Sequence, residues 1–438
     1  MIKNTSRLIL AVVLFPFALH AQQVKKLSLS EAIELGIANS RNLKLAQHKL
    51  TEAAARLDVI NDNALPNASV SFLYNHAEIP THTLSIGGGK PITLPGRADA
   101  FVGTAGIEEL IYGGQKLKYA KESTKLLSEL ARLDFEKSKE EVSYVVINTW
   151  FSLYKLAQSR KVVTQNLDAI AGQLKQAQQF FSQGIVTKND VLRFQLQQAN
   201  VSLTALEIEN NRKIVNYNLD ILLGLPEDTE IRIEETDITL KPLEPLASYM
   251  TMAVSERQEL QQLDVQHKAA DLNIKTIKAD KLPTLGIGAN MYYINPGGSF
   301  IPAANQFIVP VTVGATLSWN VANLWKNKHK EAEAYIQQQE ISIQKDMLSD
   351  QVKTQVNKDY QNYRMAVQKI DVLQTSVAQA EENDRLLASK YRNNMASATD
   401  RIDAETLLYQ AKINLEIARA DAGLAYYTLL KSTGKISK

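Results

Sequence analysis

The chain is an internal duplication, and that repeat constrains its fold more than any other feature. The segment SEAIELGIANSRNLKLAQHKL…NALPNASVSFLY returns as ASYMTMAVSERQELQQLDVQ…DKLPTLGIGANMY. Leu65-Pro66 falls on Leu282-Pro283, an offset of 217 (283 − 66). Leu29 then meets Leu246, Leu43 meets Leu260 and Ile60 meets Ile277. Further on, FSQGIVTKNDVLRFQ aligns with YRNNMASATDRIDAE at an offset of 210, placing Asp190 on Asp400 and Gly224 on Gly434. A loop between strands absorbs the difference of seven residues (217 − 210). A repeat of this length is a duplicated supersecondary unit rather than a short solenoid motif. Each unit predicts helix, two strands and helix, so the fold class is α+β, mostly α.

Proline placement separates the helical parts from the rest. About 130 residues between Pro95 and Pro226 contain no proline, and the chain after Pro310 contains none. Both stretches are rich in Ala, Leu, Gln, Lys and Glu, which is helix composition. Val356, Tyr360, Tyr363, Val367, Ile370, Leu373 and Val377 step by threes and fours, the spacing of a coiled-coil seam. A helix from Gly114 to Ser182 would be about 100 Å long at 1.5 Å per residue.

Between the long helices, the residues alternate with period two. Ala68, Val70, Phe72 and Tyr74 face one way and Ser69 and Ser71 the other. Leu285, Ile287, Ala289, Met291 and Tyr293 alternate with Gly286, Gly288, Asn290 and Tyr292. Returning strands carry Phe101, Ala105 and Ile107, then Val309 through Trp319 at odd positions. Strands are therefore expected near residues 67–76, 99–111, 284–294 and 309–319. Each is about nine to eleven residues, the length that crosses a bilayer at a tilt. One face is apolar and the other small and polar, which suits a wall between lipid and water. Half-buried hairpins of a soluble protein alternate in the same way. Long Gly/Pro-rich loops, 75–97 and 295–308, favour the membrane reading. Four strands close no barrel, and lipid tolerates no open sheet edge. Spanning strands therefore require an oligomer, and the small inward residues favour one wider than eight strands.

The N-terminus reads as a secretory signal over residues 1–21. Lys3 and Arg7 precede the apolar run Leu8 to Ala18, and Leu19-His20-Ala21 offers a cleavage site. The repeats follow as residues 22–225 and 246–438, joined by a Pro/Glu/Thr-rich segment, 226–245, with a short strand expected at Ile231 to Ile233. The chain has no cysteine, which excludes disulfides and thiolate metal sites. Its 49 basic and 47 acidic residues nearly cancel, so no nucleic-acid partner is implied.

The turn that joins paired helices is the best-defined motif. It reads Gly184-Ile185-Val186-Thr187-Lys188-Asn189-Asp190 in the first repeat and Asn394-Met395-Ala396-Ser397-Ala398-Thr399-Asp400 in the second. Thr187/Asp190 and Ser397/Asp400 have capping-box spacing. Capping does not account for Asp403, one turn beyond Asp400 on the same helix face. Around a symmetry axis such a pair would repeat as an acidic ring, an electrostatic gate for cations. His76 and His82 share a loop, but no Cys or carboxylate partner for a metal is evident beside them. Gly87-Gly88-Gly89-Lys90 runs into Pro91 and is no phosphate loop. No catalytic triad, zinc-hydrolase or dinucleotide signature is present, so no enzyme and no cofactor are expected.

With its N-terminal signal, duplicated unit and the turn pattern aromatic-x-x-G-x-x-[S/T]-x-x-D, the chain resembles the TolC-type outer membrane efflux proteins. The resemblance spans the mature chain, and the turn occurs twice in register. It implies a homotrimer with a twelve-stranded barrel in outer membrane lipid and a long helical tunnel across the periplasm of a Gram-negative cell. Such ducts meet a periplasmic adaptor and an inner-membrane pump and export solutes passively. The resemblance makes Asp400, Asp403 and Tyr391 the periplasmic aperture. Gly184, Ile185, Thr187, Asp190, Asn394 and Ser397 fall in the turns where the adaptor would dock. A basic residue expected in the second turn is replaced by Ala396, and its glycine by Asn394. The alternative without a barrel is a periplasmic coiled-coil scaffold or adaptor.

Overall fold

The computed structural model describes residues 24–78, 80, 83–84, 87–93, 96–234, 241–295 and 307–436. The signal peptide expected at residues 1–21 lies outside them, as does His82.

The chain opens with β1 (Val24–Leu27), α1 (Leu29–Asn39) and α2 (Arg41–Asp62). Then come β2 (Asn67–Glu78), the two-residue strands β3 (Thr83–Leu84) and β4 (Ile92–Thr93), and β5 (Arg97–Tyr112). Two long helices follow, α3 (Lys116–Ser182) and α4 (Lys188–Leu223), and then β6 (Glu230–Ile233). The second repeat contains α5 (Leu246–Glu256), α6 (Gln258–Ala279), β7 (Thr284–Asn295), β8 (Val311–Ser318), α7 (Asn323–Arg392) and α8 (Ala398–Ser432). The expected duplicated helix–strand–strand–helix unit is thus present. At 67 and 70 residues, α3 and α7 are each about 100 Å long. Among the described residues, no helix is long and apolar enough to cross a membrane.

The lengths of the shorter helices follow from what lies beside the long ones. The 36-residue α4 and 35-residue α8 cover about half of α3 and α7. The other half is covered by α2 and α6, which pack on α3 and on α3 and α7 respectively. Ser128 Oγ of α3 donates to the Ala53 carbonyl of α2 at 3.0 Å. The largest core lies midway along α3, where Trp150 stacks on Tyr154 at 5.7 Å and packs with Leu27, Leu219, Leu223 and Ile231. This core explains a strand that composition alone does not show. β1 pairs in parallel with β6, Leu27 against Ile233, and seals the mid-length core from above. A second core around Tyr249, Val356, Tyr363 and Leu429 joins α5 to α7 and α8. Val356, Tyr363 and Ile370 of the expected seam are buried.

Four strands form one antiparallel sheet in the order β2-β5-β7-β8, so β5 and β7 join the two repeats. Its register separates two chemistries. Val70, Ala105, Met291 and Val311 form one row, and Ala68, Ile107, Ala289 and Val313 the next. On the opposite face Ser69, Gly106, Asn290 and Thr312 align, and Ser71 and Thr104 share a hydrogen bond of 2.6 Å. A Cβ at Gly106 would lie 2.2 Å from the Asn290 side-chain oxygen, so any other residue would turn that amide aside. The apolar face is fully open, with Val70 85% and Val313 83% exposed. Aromatic residues bound it at both ends. Tyr74 lies 4.9 Å from Phe101, and Tyr293 stacks on Phe307 at 4.3 Å. At the other end are Tyr112 and Trp319, whose indole donates to the Lys281 carbonyl at 2.9 Å. Glu109 interrupts the apolar rows next to a bulge at Leu110/Tyr112.

β2 and β5 run further than their composition suggests, to Glu78 and from Arg97. Cross-strand polar pairs extend them. Tyr74 and His76 both bond the Asp99 carboxylate at 2.7 Å, and Arg97 pairs with Glu78 at 3.3 Å. His76 therefore has a carboxylate neighbour on β5 that the spacing along the chain did not reveal.

Candidate functional site

Strands occupy one end of the long helices, and the two helix turns, 183–187 and 393–397, occupy the other. Both turns are built alike. At the end of α3 the Ile185 amide donates to the Phe180 carbonyl at 2.9 Å and the Gly184 amide to Phe181 at 3.0 Å. At the end of α7 the Met395 amide donates to Lys390 at 2.8 Å and the Asn394 amide to Tyr391 at 3.1 Å. These bonds satisfy the last helical carbonyls, and they require a left-handed residue at the turn. Gly184 supplies it at φ +74 and Asn394 at φ +55. Asparagine substitutes for glycine because its short amide tolerates that region.

The returning helices start with the expected capping boxes. Thr187 Oγ1 accepts from the Asp190 amide at 3.3 Å, while the Asp190 carboxylate accepts from the Thr187 amide at 2.9 Å. Ser397 and Asp400 repeat this at 3.1 and 3.0 Å. The hydrogen bonds from the Ser397 hydroxyl and amide hold the Asp400 carboxyl below its ordinary value. Asp190 and Asp400 thus each start a helix. Asp403 is exposed one turn further on. Ile185 and Met395, equivalent in the two repeats, project from the turns and are 43% and 69% exposed.

Tyr391 is not at the surface with these aspartates. It is 3% exposed and packs 5.9 Å from both Phe180 and Phe194, so it joins the second repeat to the first. Its hydroxyl has no hydrogen-bond partner, and burial, followed by the charge of Asp190, raises its pKa. Ala177, Ala398, Leu174, Val191 and Ile402 complete this small core at the free end.

Arg401, 8% exposed on α8, pairs with Asp384 of α7 and ties the hairpin together. One turn beyond it is Glu405, 4% exposed. The i,i+4 spacing of Arg401 and Glu405 was the available signal, since it places both on one helix face. Among the described residues no group of His, Asp and Glu has the geometry to hold a metal ion.

Residues 32–225 match the family model described as Outer membrane efflux protein. No curated protein matches the chain by sequence. The fold matches several solved channels. The outer membrane protein VceC of Vibrio cholerae is 17% identical, with 93% of this chain and 97% of that one covered and a TM-score of 0.76. The CmeC outer membrane channel of Campylobacter jejuni is 14% identical, with coverages of 94% and 87% and a TM-score of 0.74. The MtrE outer membrane channel of Neisseria gonorrhoeae, solved in its open state, is 14% identical, with coverages of 94% and 89% and a TM-score of 0.72. Residues 32–225 thus match the outer membrane efflux protein model, and the chain as a whole has the fold of these solved outer membrane channels.

Proposed function

We propose that three copies of this chain form the exit duct of a tripartite efflux or type I secretion system. The observation that carries this reading is the four-stranded sheet, apolar on one face, polar on the other and unpaired at β2 and β8. In lipid those edges must pair, and β8 of one protomer beside β2 of the next closes a ring of twelve strands. Serine, threonine and glycine on the inner face leave a water-filled bore. A periplasmic scaffold without a barrel would leave Val70, Phe72, Val313 and Leu317 in water with nothing to cover them.

The helices support the same closure. Leu196, Leu203 and Leu206 on α4 are exposed, as are Ile336, Ile343 and Met347 on α7. The first stripe steps by seven and three and the second by seven and four, so each can serve as a coiled-coil seam for a neighbouring protomer. The trimer would then be a tube of helices about 100 Å long below the barrel. At its free end the turns that expose Ile185 and Met395 are the docking surface for a periplasmic adaptor, and Asp403 with Asp400 lines the entrance. Solute moves passively through the bore, and an inner-membrane pump supplies the energy. No step requires a cofactor.

The test is fractionation followed by crosslinking. The protein should sediment with outer membrane, require detergent, and give a crosslinked ladder ending at three. A stable detergent-free monomer that retains its strand content would refute the duct.

A further inference from the structure

The free end of the helices contains a buried acid that neither the capping boxes nor the aperture uses. Glu405 lies on α8, 4% exposed, and neither of its carboxylate oxygens has a hydrogen-bond partner. Each element packed around it brings its own charged or polar groups. On α8 itself the one buried cation is Arg401, one turn earlier, and its guanidinium is engaged by Asp384 of α7. From α3 comes Gln173, buried and uncharged, with its own carbonyl oxygen unpartnered. From α4 comes Gln197, bonded to the Thr406 hydroxyl at 3.1 Å and also uncharged. On α7, Glu381 bonds Lys412 at 2.9 Å, and Arg385 bonds Glu382 on the helix exterior. Asp403 is exposed.

The charge balance is therefore uneven. With Glu405 ionised, two carboxylates share one guanidinium in a dry junction of α3, α7 and α8. With Glu405 protonated, the junction is neutral, and its hydroxyl gains a donor that can meet the orphan Gln173 oxygen. A buried carboxylate that is offset only by the nearby Arg401 charge and Gln173 amide, with neither in full bonding contact, is costly, and protonation removes that cost.

We propose that Glu405 is a proton-binding site that controls how firmly the α7–α8 hairpin closes on α3 at the free end. Protonated, it holds the three helices together. Ionised, it loosens them one turn from the entrance. The site rests on the duct reading only for its effect on transport. Burial pushes the Glu405 carboxyl up to about 7, Arg401 and Gln173 oppose the rise, and the Asp384 charge adds to it. The transition thus falls where a neutral or mildly acidic surrounding can drive it.

Two measurements on detergent-purified, full-length protein test this. Hydrogen exchange of amides 398–408 should accelerate about tenfold or more between pH 5.5 and 8.5, beyond the intrinsic base catalysis. Conductance of the protein in planar bilayers should rise over the same interval. In Glu405→Gln and in Glu405→Met both steps should vanish, while Glu382→Gln, on the helix exterior, should keep them. An exchange step that Glu405→Gln removes, in protein that forms no pore, supports the proton site and refutes the duct. A pore whose pH profile and exchange are the same in wild type and both Glu405 variants refutes the site and leaves the duct standing.

Discussion

The assignment of faces to the sheet can be tested with two adjacent residues. Val313 and Thr312 are neighbours on β8 but point to opposite sides, Val313 in the row of Ala289 and Ile107, Thr312 opposite Asn290. Val313 is six positions from Trp319 (319 − 313), about 20 Å along the strand at about 3.3 Å per residue. At a tilt of about 40° this is about 15 Å of depth. Phe307, stacked on Tyr293 at the other end, is likewise six positions from Val313 (313 − 307), about 15 Å in the other direction. Val313 therefore lies near the middle of a hydrocarbon layer about 30 Å thick. Arginine at such a depth costs roughly 2–4 kcal/mol, and a trimer carries three, so Val313→Arg should cost roughly 6–12 kcal/mol per assembled barrel. Thr312→Arg would point into water and carry no such cost.

The assay is the fraction of protein in the outer membrane and the temperature at which the trimer band dissociates on a semi-native gel. Val313→Arg should give little membrane-inserted trimer, and Val313→Leu should match the wild type. Thr312→Arg should assemble normally and shift bilayer selectivity toward anions. A normal yield of Val313→Arg trimer, or loss of trimer in Thr312→Arg alone, would mean that the apolar rows do not face lipid.

Other consequences can be checked separately. Asp403→Asn should reduce cation selectivity, read as the reversal potential in a salt gradient, with the trimer intact; an unchanged potential removes Asp403 from the aperture. Ser397→Ala deletes a capping hydroxyl and should cost about 1 kcal/mol of helix stability at the tip without changing selectivity, as hydrogen exchange of the first α8 turn can measure. Ile185→Glu alters an exposed side chain and should abolish export while sparing the trimer; survival of export moves adaptor docking elsewhere. Asp220 is buried in the mid-length core, with Asn216 donating to one oxygen at 2.8 Å and none to the other. Burial pushes its pKa up to about 7, so the native state binds the proton more tightly than the unfolded chain. Stability should therefore fall as pH rises from about 4 to 7, and Asp220→Asn should flatten that slope in thermal melts.

The features legible in the sequence are those set by residues close together along it. The period-two rows from Val309 to Trp319, the seam through Val356 and Tyr363, and the capping boxes at Thr187 and Ser397 depend on spacings of two, three or four. The repeat extended this reach, because a weak pattern seen twice in register is a stronger constraint than either copy alone. What remained hidden depends on contacts between distant elements. β1 is four residues whose partner, β6, lies about 200 positions later, and its sequence VKKL has no strand signature of its own. The ends of β2 and β5 look like loop because His76, Glu78, Arg97 and Asp99 are polar, yet their cross-strand pairs continue the ladder. Tyr391 enters the aperture only through the family resemblance, whereas packing between repeats buries it against Phe180 and Phe194.

Arg401 shows the same limit at the candidate site. The turn itself holds no basic residue between Asn394 and Thr399. The hairpin geometry instead lets a residue on the first turn of α8 reach back to Asp384, 17 positions earlier on α7. That pair restrains α7 against α8 where a basic residue in the turn could only have linked the turn to its surroundings. It also occupies the guanidinium that Glu405, at i+4, would otherwise use. The junction thus holds one guanidinium between two carboxylates, Asp384 and Glu405, and the hydrogen bond goes to Asp384. Burial, more than competition for the guanidinium, raises the Glu405 carboxyl, and the neighbouring Asp384 charge adds to the rise.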